Sequence, residues 1–139
     1  MKIPEALDAL AARLATIDGL TVTTDPGAKI TPPMALVTDG IIEYDQTFGR
    51  GLDQLEVIVM VYVSAADSAE GAFEVREYKS GHGELSISQA LRTPVVGDVF
   101  PTVTTNAESA VTTIDERPSG ERYLTLRVST IVQIPGKES

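Results

Sequence analysis

Apolar residues recur along this chain at two periods, and the two periods separate its helices from its strands. Ile3, Leu7, Leu10, Leu14 and Ile17 fall three and four apart, which puts them on one stripe of a helix over residues 3–17. Pro4 is tolerated in a first turn, and Asp18-Gly19 supplies the stop. Over residues 54–63 the period changes to two. Leu55, Val57, Val59, Val61 and Val63 alternate onto one face, with Gln54, Glu56, Ile58, Met60 and Tyr62 on the other. The same alternation runs through 122–134. Leu124, Leu126, Val128, Thr130, Val132 and Ile134 share one side, and Tyr123, Thr125, Arg127, Ser129, Ile131 and Gln133 the other.

Weaker signals fill the intervals. Leu20 to Thr24 reads as a short strand ended by the turn Asp25-Pro26-Gly27, and Pro32-Pro33 introduces another over Met34 to Thr38. Residues 39–53 form a polar, glycine-punctuated connection whose first part is compatible with a continued strand. Asp67 or Ser68 can cap a helix running to about Lys79, with Phe73 as its main apolar anchor. Ser86 to Arg92 predicts a second, shorter helix, and residues 99–115 are again β-rich. Helices kept apart from antiparallel hairpins predict an α+β domain over 1–139. Its expected core is a mixed, mainly antiparallel sheet of about four to five strands with helices packed on one face.

That arrangement raises a question of cover. The first helix can close one face of the sheet, yet Ile58, Met60 and Tyr62 make the second face of the 54–63 strand apolar as well. Either a loop or short helix of the same chain covers it, or a neighbouring subunit does.

Composition narrows the chemistry. With no cysteine, the chain has no disulfide, thiolate metal site or cysteine nucleophile. Its one histidine, His82, sits between Gly81 and Gly83, a position that supplies neither an orienting partner nor a nucleophile. Gly49-Arg50-Gly51 begins like a dinucleotide fingerprint, but Gln54 takes the third glycine's place and a strand follows instead of a helix. Asp25, Asp39, Asp45 and Asp53 lie at turns and loop ends, with spacings that match no calcium loop. We therefore expect no enzyme, no cofactor and no metal. The net charge of −9, from 20 acids against 11 bases, argues against bulk attraction to nucleic acid. It serves solubility, or a surface past which DNA slides without sticking. The acidic start Met1-Lys2-Ile3-Pro4-Glu5 and the lack of a long apolar run lead us to expect a cytosolic product with no membrane span.

The order of several segments carries a resemblance. The N-terminal Ala/Leu-rich helix closes in Ile17-Asp18-Gly19-Leu20, and Pro32-Pro33-Met34-Ala35-Leu36-Val37 follows. The densest match is Tyr44-Asp45-Gln46-Thr47-Phe48-Gly49-Arg50-Gly51-Leu52-Asp53, leading straight into the valine-rich strand. Ser80-Gly81-His82-Gly83, then Ser86-Ile87-Ser88-Gln89-Ala90-Leu91, and a closing hairpin with Tyr123-Leu124 complete it. In this order the chain resembles the tail terminator (tail completion) proteins of long-tailed, siphovirus-type phages, especially those infecting actinobacteria.

The resemblance implies a virion protein of the tail–neck region, assembled in the host cytoplasm. Copies would form a ring, typically a hexamer, on the head-proximal end of the tail tube. The ring would end tube polymerisation and meet a head-completion or neck protein, with genomic DNA passing unbound through the bore. Another neck component, such as a head-completion or adaptor protein, is the nearest alternative, and a small ligand-binding α+β domain is a further one. Tyr44, Phe48, Arg50, Asp53, Ile58, Met60 and Tyr62 are the expected interface residues. For Tyr44 and Phe48 the competing reading is that they anchor their loop on its own core.

Overall fold

The computed structural model describes residues 2–43, 52–64, 68–80, 83–95, 101–116 and 122–135. Three helices, α1 (Ile3–Leu14), α2 (Ser68–Lys79) and α3 (Ile87–Arg92), accompany five strands: β1 (Thr21–Thr23), β2 (Met34–Glu43), β3 (Leu52–Ser64), β4 (Thr102–Glu116) and β5 (Arg122–Pro135). The strands form one sheet in the order β1-β2-β3-β5-β4. β1 runs parallel to β2, and every other pairing is antiparallel. The fold is α+β, with all three helices on the face formed by the odd-numbered residues of β3.

β3 lies at the centre because its apolar alternation is the longest. Leu55, Val57, Val59 and Val61 are fully buried, and cross-strand register sets them against Val132, Thr130, Val128 and Leu126 of β5. Ala35 and Val37 of β2 extend the layer on the other side, opposite Val61 and Val59. Full burial of one such side chain contributes about 1.5–3 kcal/mol, against about 0–1 kcal/mol for an exposed ion pair. The valine ladder therefore fixes the register, because a slip of one residue would turn all of it outward.

The helix over 3–17 is shorter than its periodicity predicts. The α-helical part ends at Leu14, and a tighter turn carries the chain to Ile17, whose amide donates to the Leu14 carbonyl at 2.9 Å. Thr16 Oγ1 donates to the Arg13 carbonyl at 2.7 Å, and Gly19 takes a left-handed φ of 81° before the chain enters β1. Ile17 still reaches the core at 3% exposure. Arg13 lies on the same buried side, at 2% exposure. Its Nη1 donates to the Leu91 carbonyl at 2.8 Å and its Nη2 to the Pro101 carbonyl at 2.7 Å. Leu91 lies in the last turn of α3, where carbonyls lack helical partners and a cation is favoured. One guanidinium thus ties α1 to the end of α3 and to the chain entering β4.

Ser86 does comparable work at the other end of α3. Its hydroxyl accepts from the Gln89 amide at 3.1 Å and donates to the Ser80 carbonyl, joining the N-cap of α3 to the end of α2.

Helix α2 corrects one expectation. Phe73 is not its anchor but stands 65% exposed, while Val75 and Tyr78 are each 2% exposed. The reason is Gly71, where α2 approaches the strands so closely that an added Cβ would lie 2.8 Å from the Ser64 carbonyl oxygen and 3.0 Å from Leu124 Cδ1. With the Gly71 side turned inward, Phe73 is about 200° further round the helix and faces out.

Gly71→Ala should accordingly destabilise the protein by about 1–2 kcal/mol, because overpacking against main chain outweighs the gain in helix propensity. A lower urea midpoint at unchanged slope is the expected reading. Burial first, then the nearby Glu74 carboxylate that accepts its hydroxyl at 3.4 Å, pushes the Tyr78 phenol up from 10.0 to about 12. The folded chain holds a proton that the unfolded chain releases near 10. This contribution is therefore complete below pH 10 and is lost as pH rises towards 12. Tyr78→Phe should flatten that alkaline loss in a series of urea midpoints taken across the same window.

Candidate protein interface

The second face of the sheet carries none of the described helices. It is formed by the even-numbered residues of β3, with Met34, Leu36 and Thr38 of β2 and the odd-numbered residues of β5 in register beside them. Its upper part is closed within the chain. Met34, Tyr62 and Tyr123 are buried, with Ile30, Leu36 and Met60 packed against them. The rings of Tyr62 and Tyr123 meet edge to face, with centroids 6.2 Å apart and planes at 83°. Ile30 belongs to the segment between β1 and β2, so this connection supplies part of the cover. Ile58 and Met60 remain half-buried, and Arg127, opposite Met60, is exposed.

Lower on this face the regular pattern breaks. The pairing of β2 with β3 shifts between Asp39 and Ile42. Gly40 falls within the shift because the Glu56 carboxylate occupies the space that a Cβ there would fill. Glu56 is held in that position by Ser129, whose Oγ donates to Glu56 Oε2 at 3.0 Å. The irregularity leaves Ile41 70% exposed. Ile41, Glu43, Gln54, Glu56 and Ile131 surround a shallow hollow of about 140 Å³, apolar on its walls and acidic at its edge.

The expected interface residues separate on this framework. Ile58, Met60 and Tyr62 lie together on the helix-free face, with Tyr62 at 9% exposure inside the small cluster. Asp53 lies at the start of β3 opposite Ile134 and is 7% exposed, buried in its own subunit. Tyr44, Phe48 and Arg50 lie outside the described residues, as does His82. The sequence reading missed Ile41, Glu56 and Ser129 as one group. Gly40 ahead of two isoleucines was the available signal, but a shift in strand pairing has no fixed sequence signature.

Among the described residues, no three His, Cys, Asp or Glu side chains come together in a way that could hold a metal ion. No described helix is long and apolar enough to cross a membrane. In comparison with known families and curated proteins, the chain matches no family model and no curated sequence.

Among the described residues, one buried side-chain polar atom is unsatisfied, and it lies on this face. Thr125, opposite Tyr62 in register, is 2% exposed, and its Oγ1 has no hydrogen-bond partner. A buried hydroxyl without a partner costs about 1–3 kcal/mol. Thr125→Val keeps the shape and removes that cost, so the urea midpoint should rise by the equivalent of about 1 kcal/mol.

Proposed function

We propose that this chain is a structural subunit of a phage tail, a tail terminator that assembles into a ring on the head-proximal end of the tail tube. The observation that carries this reading is the helix-free sheet face. Ile58 and Met60 are only half covered there, and Ile41 stands exposed beside an acidic hollow. Exposed apolar surface bordered by charge is the usual mark of a protein–protein contact. The order of segments that resembles the tail terminators names the kind of assembly. A net charge of −9 per copy suits a bore that lets DNA pass without gripping it. In this role the ring ends tube polymerisation and presents its far side to the head-completion or neck protein.

Mass measurement of the purified chain with negative-stain imaging, repeated in the presence of tail-tube subunits, tests the reading. Rings of one fixed copy number that halt tube growth are expected. A chain that leaves tube growth unaffected and binds the portal or adaptor instead would move the assignment to another neck component.

A further inference from the structure

Two large hydrophobic side chains stand exposed among the described residues, Ile41 at 70% and Phe73 at 65%. They lie on opposite faces of the sheet. Ile41 borders the helix-free face near the start of β3, whereas Phe73 belongs to α2, which packs at the Ser64 end of β3 on the other face. Each has an exposed charged neighbour, and the two differ in sign: Glu43 beside Ile41 and Arg76 beside Phe73. The hollow beside Ile41 carries Glu43 and Glu56. A second hollow, of about 200 Å³, lies between α2 and β5 and is lined by Ala72, Val75, Leu124, Arg76 and Lys79. Phe73 precedes Arg76 by three residues, so the two are neighbours on the helix surface. Arg76 and Lys79 are both exposed. The described acids on this helix, Glu74, which accepts the Tyr78 hydroxyl, and Glu77, four residues on from Phe73, are half-buried, as Glu56 is in the first hollow, so the exposed charges are Arg76 and Lys79 here and Glu43 there.

We propose that the α2 surface of one copy docks on the Ile41 hollow of the next. Phe73 packs against Ile41 and Ile131, and Arg76 and Lys79 face Glu43 and Glu56. This assignment rests on the ring reading and names the two surfaces that would build it. Because the patches differ, the contact is head to tail, the kind that closes a ring when the rotation between copies allows. The two bases lay their aliphatic stems on apolar walls while their charges reach the carboxylates. Charge complementarity also explains why a second copy is the occupant. Identical chains of net charge −9 repel at long range. A contact that sets the basic patch of one on the acidic patch of the other relieves that repulsion and fixes the register.

The test uses Glu43→Lys and Arg76→Glu, two exposed positions, separately, together in one chain, and as an equimolar mixture of the single variants. Sedimentation measures self-association, and circular dichroism checks that each variant folds. Each single variant should self-associate at least about tenfold more weakly than the parent chain, since like charges then meet across the contact. The doubly exchanged chain should recover. So should the mixture, in which each altered surface meets its complement on the other variant. A folding defect would not be repaired by mixing.

Single variants that associate like the parent, or a mixture that fails to recover, would overturn the docking. If the parent still forms rings in that case, the ring reading stands and only the surfaces are wrong. A parent chain that stays monomeric at high concentration also overturns the docking, including where a basic segment of another protein fills the hollow. The ring reading is then decided by whether the chain halts tail-tube growth.

Discussion

The central strand β3 is apolar along one face and, from Ile58 to Tyr62, on the other as well, and the described helices all pack on the first. This imbalance shapes the rest of the structure. Leu55, Val57, Val59 and Val61 take the helix-covered side, so α1, α2 and α3 all gather there. Met60 and Tyr62 are left to a thinner cover of Met34, Tyr123 and Ile30, while Ile58 beside them is only half-buried. Among the described residues this face is closed by a few side chains and one connection, which leaves apolar surface available for contact.

On the covered side, three short helices must be held in place by more than their stripes. α3 has six residues, too few to be stable alone, and both of its ends are tied. Ser86 caps its start and reaches back to Ser80, and Arg13 of α1 bonds the Leu91 carbonyl near its finish. A buried guanidinium is costly to desolvate, and here the main-chain carbonyls of Leu91 and Pro101 receive it. Gly71 performs the equivalent task for α2, letting the helix backbone approach Ser64 and turning Phe73 outward as a consequence. The outward Phe73 and the acidic hollow at Ile41 thus arise from two local requirements, a close helix–strand approach and a break in strand pairing.

Much of the fold was legible in the chain. The β3 and β5 alternations identify the correct inward residues, and Ile3, Leu7, Leu10, Leu14 and Ile17 mark the helix stripe. Arg13 was also readable in part, since Ala6, Leu10, Arg13 and Ile17 repeat at spacings of four, three and four. A charged residue in such a series is easily discounted until its carbonyl partners, far away in sequence, are known. Phe73 was misplaced because size and hydrophobicity suggest an anchor, whereas the helix rotation was set by the absence of a side chain at Gly71. Of the interface, Ile58, Met60 and Tyr62 could be assigned to one face, but the hollow could not, because Ile41, Glu56 and Ser129 come from three strands.

By itself the sequence determined the periodicities, and with them the element types, the inward face of the two long strands and the α+β class, because alternation and helical spacing are local properties of the chain. Tertiary structure alone decided the order β1-β2-β3-β5-β4 and the parallel entry of β1. It also decided the orientation of α2, the burial of Arg13 and the hollow at Gly40. Each of these depends on which distant groups meet, and pairing energies between distant residues leave no periodic trace in the sequence that encodes them.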